Sequence, residues 1–301
     1  MLTGKKSDKL FFCVIIYIGD FMDGIILVNK ESGMTSRDVV NKVCHILNTK
    51  KVGHTGTLDP MATGVLVLAI NKGLKIVNEI TSLDKEYEAE ITLGIDTDTL
   101  DITGNTLSTK EVNVTNEDID KVLNSFIGDY DMEVPIYSAI KVNGKKLYEY
   151  ARNNEEVDIP VHKVKIYELK RTSDIKDNKF SIKCKVSKGT YIRSLVRDIS
   201  KELGTVGVMS KLNRTKQGKF DIKDCYTLED IENGNYELIS IKDVIDLPTV
   251  EIPDNLYKKI INGNKIEDIY NYEKVLFEKD NKIIAIYIKD DTLLKPLHMF
   301  I

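Results

Sequence analysis

The chain has 301 residues, 42% of them hydrophobic and 30% charged, and a formal net charge of −4. This length and composition indicate a soluble, globular protein with one large domain or two unequal ones. Its four cysteines lack C-x-x-C spacing and its four histidines match no metal-binding pattern, which argues against a zinc ribbon, a disulfide framework or another metal site and favours a reducing cytoplasm.

The charges are unevenly distributed along the chain. Residues 84–133 hold 14 acidic and 3 basic residues, whereas residues 183–223 hold 11 basic and 3 acidic ones. This asymmetry indicates one surface adapted to a polyanion, despite the negative net charge. Lysine-rich strands with a solvated polar face would give the same count, so charge alone leaves both interpretations open.

The N-terminal segment, residues 1–21, holds nine consecutive apolar residues, Leu10 to Ile18. Nine residues are too few to span a bilayer. They would suit the core of a signal peptide, but no small-x-small cleavage site follows. We favour a third interpretation, in which Met22 is the functional start and the preceding residues are an appendage. We therefore expect no membrane association.

The first elements in chain order are a strand at 24–30 and a helix within 34–48. Thr35 or Ser36 can cap this helix, whose apolar residues follow a helical period. An irregular loop, GHTGTLDPMATGVL, occupies 53–66 and runs into a strand at 65–70. A short helix at 72–80 is expected next. Residues 86–93 then alternate strictly, with Tyr87 on the apolar face.

Further along, Thr115 begins another helix with acidic residues in its first turn. Residues 180–186 alternate again, with Lys183 and Lys185 on the polar side. A helix over 190–203 is closed by Gly204. Strands and helices mix without regular βαβ alternation, so the pattern predicts an α+β fold, a mainly antiparallel sheet flanked by helices.

The composition changes beyond residue 247. Residues 248–301 predict two short strands around an Asp-Asp turn, preceded by a turn at Gly263. We therefore expect three parts, namely an extension at 1–21, a main domain at 22–247 and a small β-rich domain at 248–301.

The loop at 53–66 carries a single carboxylate, Asp59. Because Pro60 follows, the backbone of Asp59 is restricted to extended conformations. Gly53, Gly56 and Gly64 would let a flat partner approach the backbone. One carboxylate without a metal cluster suggests a general base or a nucleophile. From these residues alone, an ordinary Asp-Pro surface turn is the stronger interpretation.

Five ordered blocks change that balance. In chain order these blocks are GIILVNKESGMTSRDVVNKV, GHTGTLDPMATGVL, KEYEAEITLGIDTDTLDITG, VPIYSAIKVNGKKLYEYAR and SKGTYIRSLVRDISKELG. They resemble successive motifs of the bacterial-type tRNA pseudouridine-55 synthases, the TruB family. SKLNRTKQGKF continues the match, which covers about residues 22–247. The chain departs from the family pattern at Asn29-Lys30-Glu31 and at Met132-Glu133-Val134-Pro135.

The resemblance implies conversion of uridine to pseudouridine at position 55 in the T-loop of tRNA. The uracil is detached at N1, rotated and rejoined through C5, and neither a cofactor nor a metal is required. The target base must be extruded from its stack. The tail at 248–301 is similar to a small RNA-binding domain of the PUA type. A monomeric, cytoplasmic enzyme acting on the tRNA T-arm follows.

The resemblance also implies roles for individual residues. Asp59 starts glycosidic cleavage, and Arg193 pairs with it. Tyr87 stacks on the uracil and its hydroxyl could help move the C5 proton, while Tyr191 and Leu212 wall the pocket. His54 takes the place of the flipped base or contacts its backbone, and Lys30 orients Asp59 or binds phosphate. Expected phosphate ligands are Lys185, Lys188, Arg197, Lys211, Arg214 and Lys216.

Two other functions stay open at this point. A non-catalytic RNA-binding or RNA-folding protein would bind tRNA without converting it. An enzyme of the related eukaryotic and archaeal family would modify ribosomal RNA with guide RNAs. The intact Asp59, Tyr87 and Arg193 argue against the first, and the compact chain without long basic tails argues against the second.

Overall fold

A computed structural model describes residues 22–301. The interpretation of residues 1–21 as an appendage lies outside the described residues. Within the described part, none of the helices has the length and apolar character needed to cross a membrane.

The larger sheet has nine strands, and its main path runs β1-β3-β12-β4-β11-β10-β7, with β2 paired to β3 and β13 to β12. The strands up to residue 221 are β1 (Gly24–Lys30), β2 (Val52–His54), β3 (Thr63–Ile70), β4 (Lys85–Leu93), β5 (Ile95–Thr97), β6 (Thr106–Thr109), β7 (Gly128–Glu133), β8 (Lys141–Val142), β9 (Lys145–Lys146), β10 (Val161–Arg171), β11 (Lys179–Val186), β12 (Gly207–Gln217) and β13 (Phe220–Asp221). Strands β5 and β6 form one separate hairpin and β8 and β9 another. The pairing is antiparallel except between β3 and β12, which are parallel, so the α+β prediction is confirmed.

Burial explains why some strands are apolar throughout and others alternate. In β1 and β3, successive side chains enter two different cores, one on each face of the sheet. Both strands therefore need apolar residues at nearly every position. In β4 and β11 only one face is buried. The side chains on that face include Tyr87, Ala89, Ile182 and Cys184. The opposite face carries the charged residues, as the alternation predicted.

The helices are α1 (Ser36–Ile46), α2 (Val77–Thr81), α3 (Asn116–Ser125), α4 (Leu147–Arg152), α5 (Ile192–Glu202), α6 (Leu228–Glu232), α7 (Ile241–Val244) and α8 (Asp254–Ile261), with 3₁₀ turns at Asn71–Ile76 and Ile222–Asp224. Thr35 and Thr115 cap α1 and α3 in reciprocal capping boxes. Gly204, at φ +76°, follows the end of α5. Apolar residues of α1, α3 and α5 cover one face of the larger sheet.

A second sheet of five strands follows residue 248, in the order β14-β16-β17-β18-β15. Its strands are β14 (Thr249–Glu251), β15 (Ile266–Glu267), β16 (Lys274–Lys279), β17 (Lys282–Asp290) and β18 (Leu293–Met299). The two strands expected around the Asp-Asp turn are present, but they have nine and seven residues and are not short. Strands β14, β15 and β16 and helix α8 were not among the elements expected in this segment.

The second sheet shares a core with the first. Leu276, Ile286 and Phe300 are at most 2% exposed and pack in one cluster with Ile25 and Val67 of the larger sheet. The segment 248–301 is therefore attached to the larger sheet through buried apolar contacts as well as through the connecting chain.

Candidate active site

Asp59 lies in the loop between β2 and β3, on the face of the larger sheet that carries α5. Buried side chains hold this loop through its backbone carbonyl oxygens. The Lys30 ammonium donates to the carbonyl oxygens of Glu31, Pro60 and Ala62 at 2.9, 3.2 and 2.6 Å. Because each bond reaches main chain, the loop conformation is fixed independently of its own side chains.

Two residues of α1 and β12 complete this support. The Ser36 hydroxyl accepts from Leu58 N at 2.8 Å and donates to the Leu58 carbonyl at 3.1 Å. The Arg214 guanidinium donates to the carbonyls of Gly56 and Val65 at 3.1 and 2.7 Å. The loop that carries Asp59 is therefore held by hydrogen bonds from Lys30, Ser36 and Arg214.

Two of the three loop glycines, Gly53 and Gly64, face neighbouring protein atoms and not open space. A Cβ on Gly53 would lie 2.8 Å from Leu74 Cδ2, and one on Gly64, at φ +101°, would lie 2.3 Å from the Arg214 carbonyl oxygen. A Cβ on Gly56 would lie 3.4 Å from Arg214 Nη1. The expectation that Gly53 and Gly64 admit a flat ligand is wrong, because neighbouring protein atoms already fill that space.

Asp59 and Arg193 form a two-pronged ion pair. Arg193 Nε lies 3.0 Å from Asp59 Oδ2, and Arg193 Nη2 donates to Asp59 Oδ1 at 3.1 Å. Arg193 also donates to the carbonyls of Thr99 and Tyr137 at 3.0 and 3.1 Å. The guanidinium is 7% exposed and the Asp59 side chain 31%. The planar cation therefore fixes the carboxylate while leaving part of it open.

A second carboxylate, Asp101, lies behind the same guanidinium, with Oδ2 4.0 Å from Arg193 Nη1. Its Oδ1 accepts from Thr99 Oγ1, Thr103 N and Thr103 Oγ1 at 3.0, 3.0 and 2.6 Å. Burial raises the pKa of Asp59 above its ordinary value and Asp101 adds to the rise, against the charge of Arg193. A carboxylate with a raised pKa is a better base and nucleophile than a solvated one once ionised.

A cavity of about 780 Å³ opens onto Asp59 and is lined by Tyr87, Tyr191, Arg193, Leu212 and Lys188, among others. Tyr87 is 8% exposed and Leu212 is 7% exposed. Burial raises the pKa of the Tyr87 hydroxyl, and the charge of Arg214 opposes that rise. The protonated phenol therefore persists at neutral pH and can donate or accept a hydrogen bond.

Tyr191 forms the far wall as the residue that precedes α5, and its ring centroid lies 6.3 Å from that of His162. His54 and Lys30 do not line the cavity. His54 is half-buried, and its Nδ1 finds no hydrogen-bond partner among residues 22–301. Burial lowers the pKa of His54. Lys30 is 1% exposed, so of its two expected roles phosphate binding is wrong, because its ammonium is enclosed by carbonyls.

The basic stretch does not form the surface expected from the sequence. Lys185 and Lys216 pair in register with Glu86, and Lys211 pairs with Glu90, on the face of β4 opposite Tyr87. Lys211 Nζ lies 3.0 Å from Glu90 Oε2, and Lys216 Nζ lies 3.4 Å from Asp221 Oδ2. The alternation that turns Tyr87 towards the cavity turns these lysines away from it.

Three expected phosphate ligands remain, and they differ in position. Lys188 is exposed and lines the cavity. Arg197 is bound to Asp198 at 2.8 Å and lines a separate groove beside β5. Arg214 is 1% exposed and donates to main-chain carbonyls, so its assignment as a surface phosphate ligand is wrong. It is a structural residue beneath the loop.

The sequence did not lead us to predict a role for Asp101 or for Lys85. Lys85 lies in the cavity wall and is 7% exposed. Asp101 belongs to the threonine-aspartate block DTDTLD, which was noted without a role for each residue. Lys85 stands two positions before Tyr87 on the same face of β4, and strict alternation could have found it. Within residues 22–301, no group of three or more histidine, cysteine or acidic residues is arranged to hold a metal.

Solved structures share this fold. A chain from an H/ACA RNP bound to a substrate RNA containing 2′-deoxyuridine aligns with a TM-score of 0.67 at 22% identity, covering 92% of this chain and 85% of the other. A chain from a Cbf5-Nop10-Gar1 complex aligns with a TM-score of 0.65 at 25% identity over 88% and 78% of the two chains.

Family models and curated relatives match more specifically. The N-terminal domain model of TruB family pseudouridylate synthases matches residues 44–192, and the C-terminal domain model of tRNA pseudouridylate synthase B matches 193–245. The tRNA pseudouridine synthase B of Caldanaerobacter subterraneus is 43% identical, over 93% of this chain and 99% of the relative. That of Oceanobacillus iheyensis is 42% identical, over 93% and 98%. The chain belongs to the TruB family of pseudouridylate synthases.

Proposed function

We propose that the protein converts uridine to pseudouridine at position 55 in the T-loop of tRNA. The relatives that match over nearly their whole length are named tRNA pseudouridine synthase B, and the ordered motifs resemble that family's. The observation that carries the proposal is a half-open carboxylate, Asp59, held by Arg193 in the wall of a cavity.

The reaction breaks the N1–C1′ bond of the uridine and forms a C5–C1′ bond. C5 loses a proton and N1 gains one, so the product is an isomer and no electrons are transferred to another molecule. Asp59 starts cleavage as nucleophile or base, and Arg193 orients the carboxylate and keeps it ionised against its raised pKa. A metal or redox cofactor has no step to perform in this scheme.

The cavity walls suit a base that has left its stack. Tyr87 and Tyr191 offer aromatic rings and Leu212 an apolar side chain, which together can hold a flipped uracil by stacking and contact. We propose that the Tyr87 hydroxyl helps to transfer the C5 proton. We propose that the enzyme acts as a monomer in the cytoplasm, recognising the T-arm by shape.

The segment 248–301 holds none of the proposed catalytic residues, and we propose that it is a PUA-like RNA-binding domain. Its shared core with the larger sheet means that deletion would expose apolar surface. Its role is therefore better tested by exchanging exposed lysines than by truncation.

The test is single-turnover conversion of an isolated T-arm stem-loop, followed by mass spectrometry after carbodiimide labelling. The wild type should form pseudouridine at position 55. Asp59→Asn should lower the rate by at least about three orders of magnitude, equivalent to about 4 kcal/mol of barrier, and still bind the RNA. Binding without conversion by the wild type would support the non-catalytic alternative and refute the proposal.

A further inference from the structure

Lys85 lines the active-site cavity but has no part in the scheme above. It begins β4, two residues before Tyr87, and both side chains are buried on the same face of the sheet. Two residues along a strand span about 7 Å. That spacing is comparable to the separation of base and phosphate within one nucleotide, so a base held at Tyr87 would bring its backbone close to Lys85.

The hydrogen bonds of the Lys85 ammonium leave one donor unused. Nζ donates to the carbonyl oxygens of Thr81 and Leu83 at 2.7 and 2.6 Å. An ammonium has three N–H donors, and within the described residues the third meets no protein acceptor. Lys30, buried to a similar degree, uses all three donors on carbonyls. Lys85 is therefore oriented by the protein but incompletely bonded.

The charge of Lys85 is also uncompensated. Within residues 22–301 no carboxylate oxygen lies within 4.0 Å of its Nζ, unlike the lysines of the opposite sheet face. The pKa of Lys85 is lowered to about 8, mainly by burial and also by the nearby charges of Arg214 and Lys188, while the charge of Asp84 opposes the change. Lys85, Lys188 and Arg214 all line the cavity, and two of them, Lys85 and Arg214, are buried, so the cavity wall offers positive charge to an anion.

We propose that Lys85 binds a backbone phosphate of the nucleotide whose base enters the cavity, through its free N–H, with Lys188 nearby at the cavity rim. The proposal rests on the proposed function for the nature of the anion. The carbonyls of Thr81 and Leu83 hold the ammonium in place before the RNA arrives, so little side-chain freedom is lost on binding. The contact fixes the flipped nucleotide relative to Asp59 without reading its sequence.

The experiment uses T-arm stem-loops in which a neutral methylphosphonate replaces, one at a time, each phosphate flanking the target uridine. One such replacement should weaken binding to the wild type about tenfold, the effect of one lost charged hydrogen bond. Lys85→Met should bind the unmodified RNA about tenfold more weakly and be insensitive to that replacement. Its slope of log Kd against log salt should fall by about 0.7.

Lys110→Met is the matched control, because Lys110 is exposed, follows β6 and does not line the cavity. It should keep the wild-type affinity and the wild-type response to every methylphosphonate. Lys85→Gln retains amide donors for the two carbonyls and removes the charge. It should reproduce the insensitivity of Lys85→Met, and it replaces that variant if thermal melting shows that Lys85→Met is unfolded.

Two results would overturn the inference. One is unchanged affinity and salt slope in both Lys85 variants. The other is a loss of affinity in the Lys85 variants that is independent of every methylphosphonate, so that the two losses multiply in each case. That result would mean that Lys85 is only a structural link between α2 and β4. Conversion of the T-arm by the wild type is measured first in the same samples. Absence of conversion would count against the proposed function and leave the phosphate contact to be judged by binding alone.

Discussion

Replacing Arg193 by glutamine tests how the ion pair controls Asp59. The change removes both hydrogen bonds to the carboxylate, at 3.0 and 3.1 Å, and the donors to the Thr99 and Tyr137 carbonyls. Breaking a buried ion pair costs about 3–5 kcal/mol. Since the Asp59 side chain is 31% exposed, solvent screens part of the attraction between Arg193 and Asp59. We therefore expect a loss of about 2–3 kcal/mol in unfolding free energy.

The sign of the pH dependence follows from the direction of the Asp59 pKa shift. Burial already raises this pKa, and Arg193 is the largest opposing influence. Without Arg193 the pKa rises further, so the acidic limb of the rate profile should move to higher pH. An acid whose pKa is raised on folding destabilises the fold when ionised. The stability deficit of Arg193→Gln should therefore shrink as pH falls through the pKa of Asp59.

The assay is single-turnover conversion of a T-arm stem-loop across a pH series, with urea denaturation at each pH. At neutral pH the rate should fall about a hundredfold, because the carboxylate is no longer oriented. Arg171→Gln is the control, since Arg171 forms ion pairs with Asp120 and Asp174 at 2.9 and 2.6 Å and does not touch Asp59. An acidic limb at the wild-type position, with a stability deficit constant in pH, would refute this account of the pair.

Four other substitutions probe the surroundings of the site. Gly64→Ala places a Cβ against the Arg214 carbonyl at positive φ and should cost at least about 2 kcal/mol in urea unfolding; wild-type stability would contradict the packing. Lys30→Met removes the donor that binds the carbonyl oxygens of Pro60 and Ala62 and should speed amide hydrogen exchange at residues 61–63; unchanged exchange there would contradict this role of Lys30. Asp101→Asn removes a carboxylate that raises the pKa of Asp59 and should move the acidic limb to lower pH; a shift to higher pH would disprove that coupling. Phe300→Ala should lower the unfolding free energy by about 3–5 kcal/mol in a single transition, whereas two separate transitions would show that the two sheets unfold independently.

Local patterns in the sequence predicted most of the larger sheet and its helices. Strict alternation located β4 and β11, capping residues located α1 and α3, and Gly204 located the end of α5. These signals depend on neighbours within one element, so they survive without knowledge of the fold. The pairing of Asp59 with Arg193 came from the family resemblance, and the geometry is consistent with it.

Relations between elements could not be predicted in the same way. Alternation shows that Tyr87 and Lys185 face opposite ways only once β4 and β11 are known to pair in register. The basic count between residues 183 and 223 therefore suggested one surface, whereas the structure divides it between two faces and a buried arginine. The shared core of the two sheets depends on residues such as Phe300, which pack in one cluster with residues of β1 and β3, a relation that no local pattern reveals.

The position of β12 affects how this protein folds while it is synthesised on the ribosome. Strands β3 and β4 are consecutive in the chain, yet β12 lies between them and pairs with both. Arg214, which clamps the Asp59 loop, stands 149 residues after its acceptor Val65. Until residues 207–217 have been synthesised, the facing edges of β3 and β4 lack their partner and are open to wrong pairing. Nascent chains that end before this strand should depend on chaperones, since the Asp59 loop acquires its shape only when β12, from far downstream, is inserted.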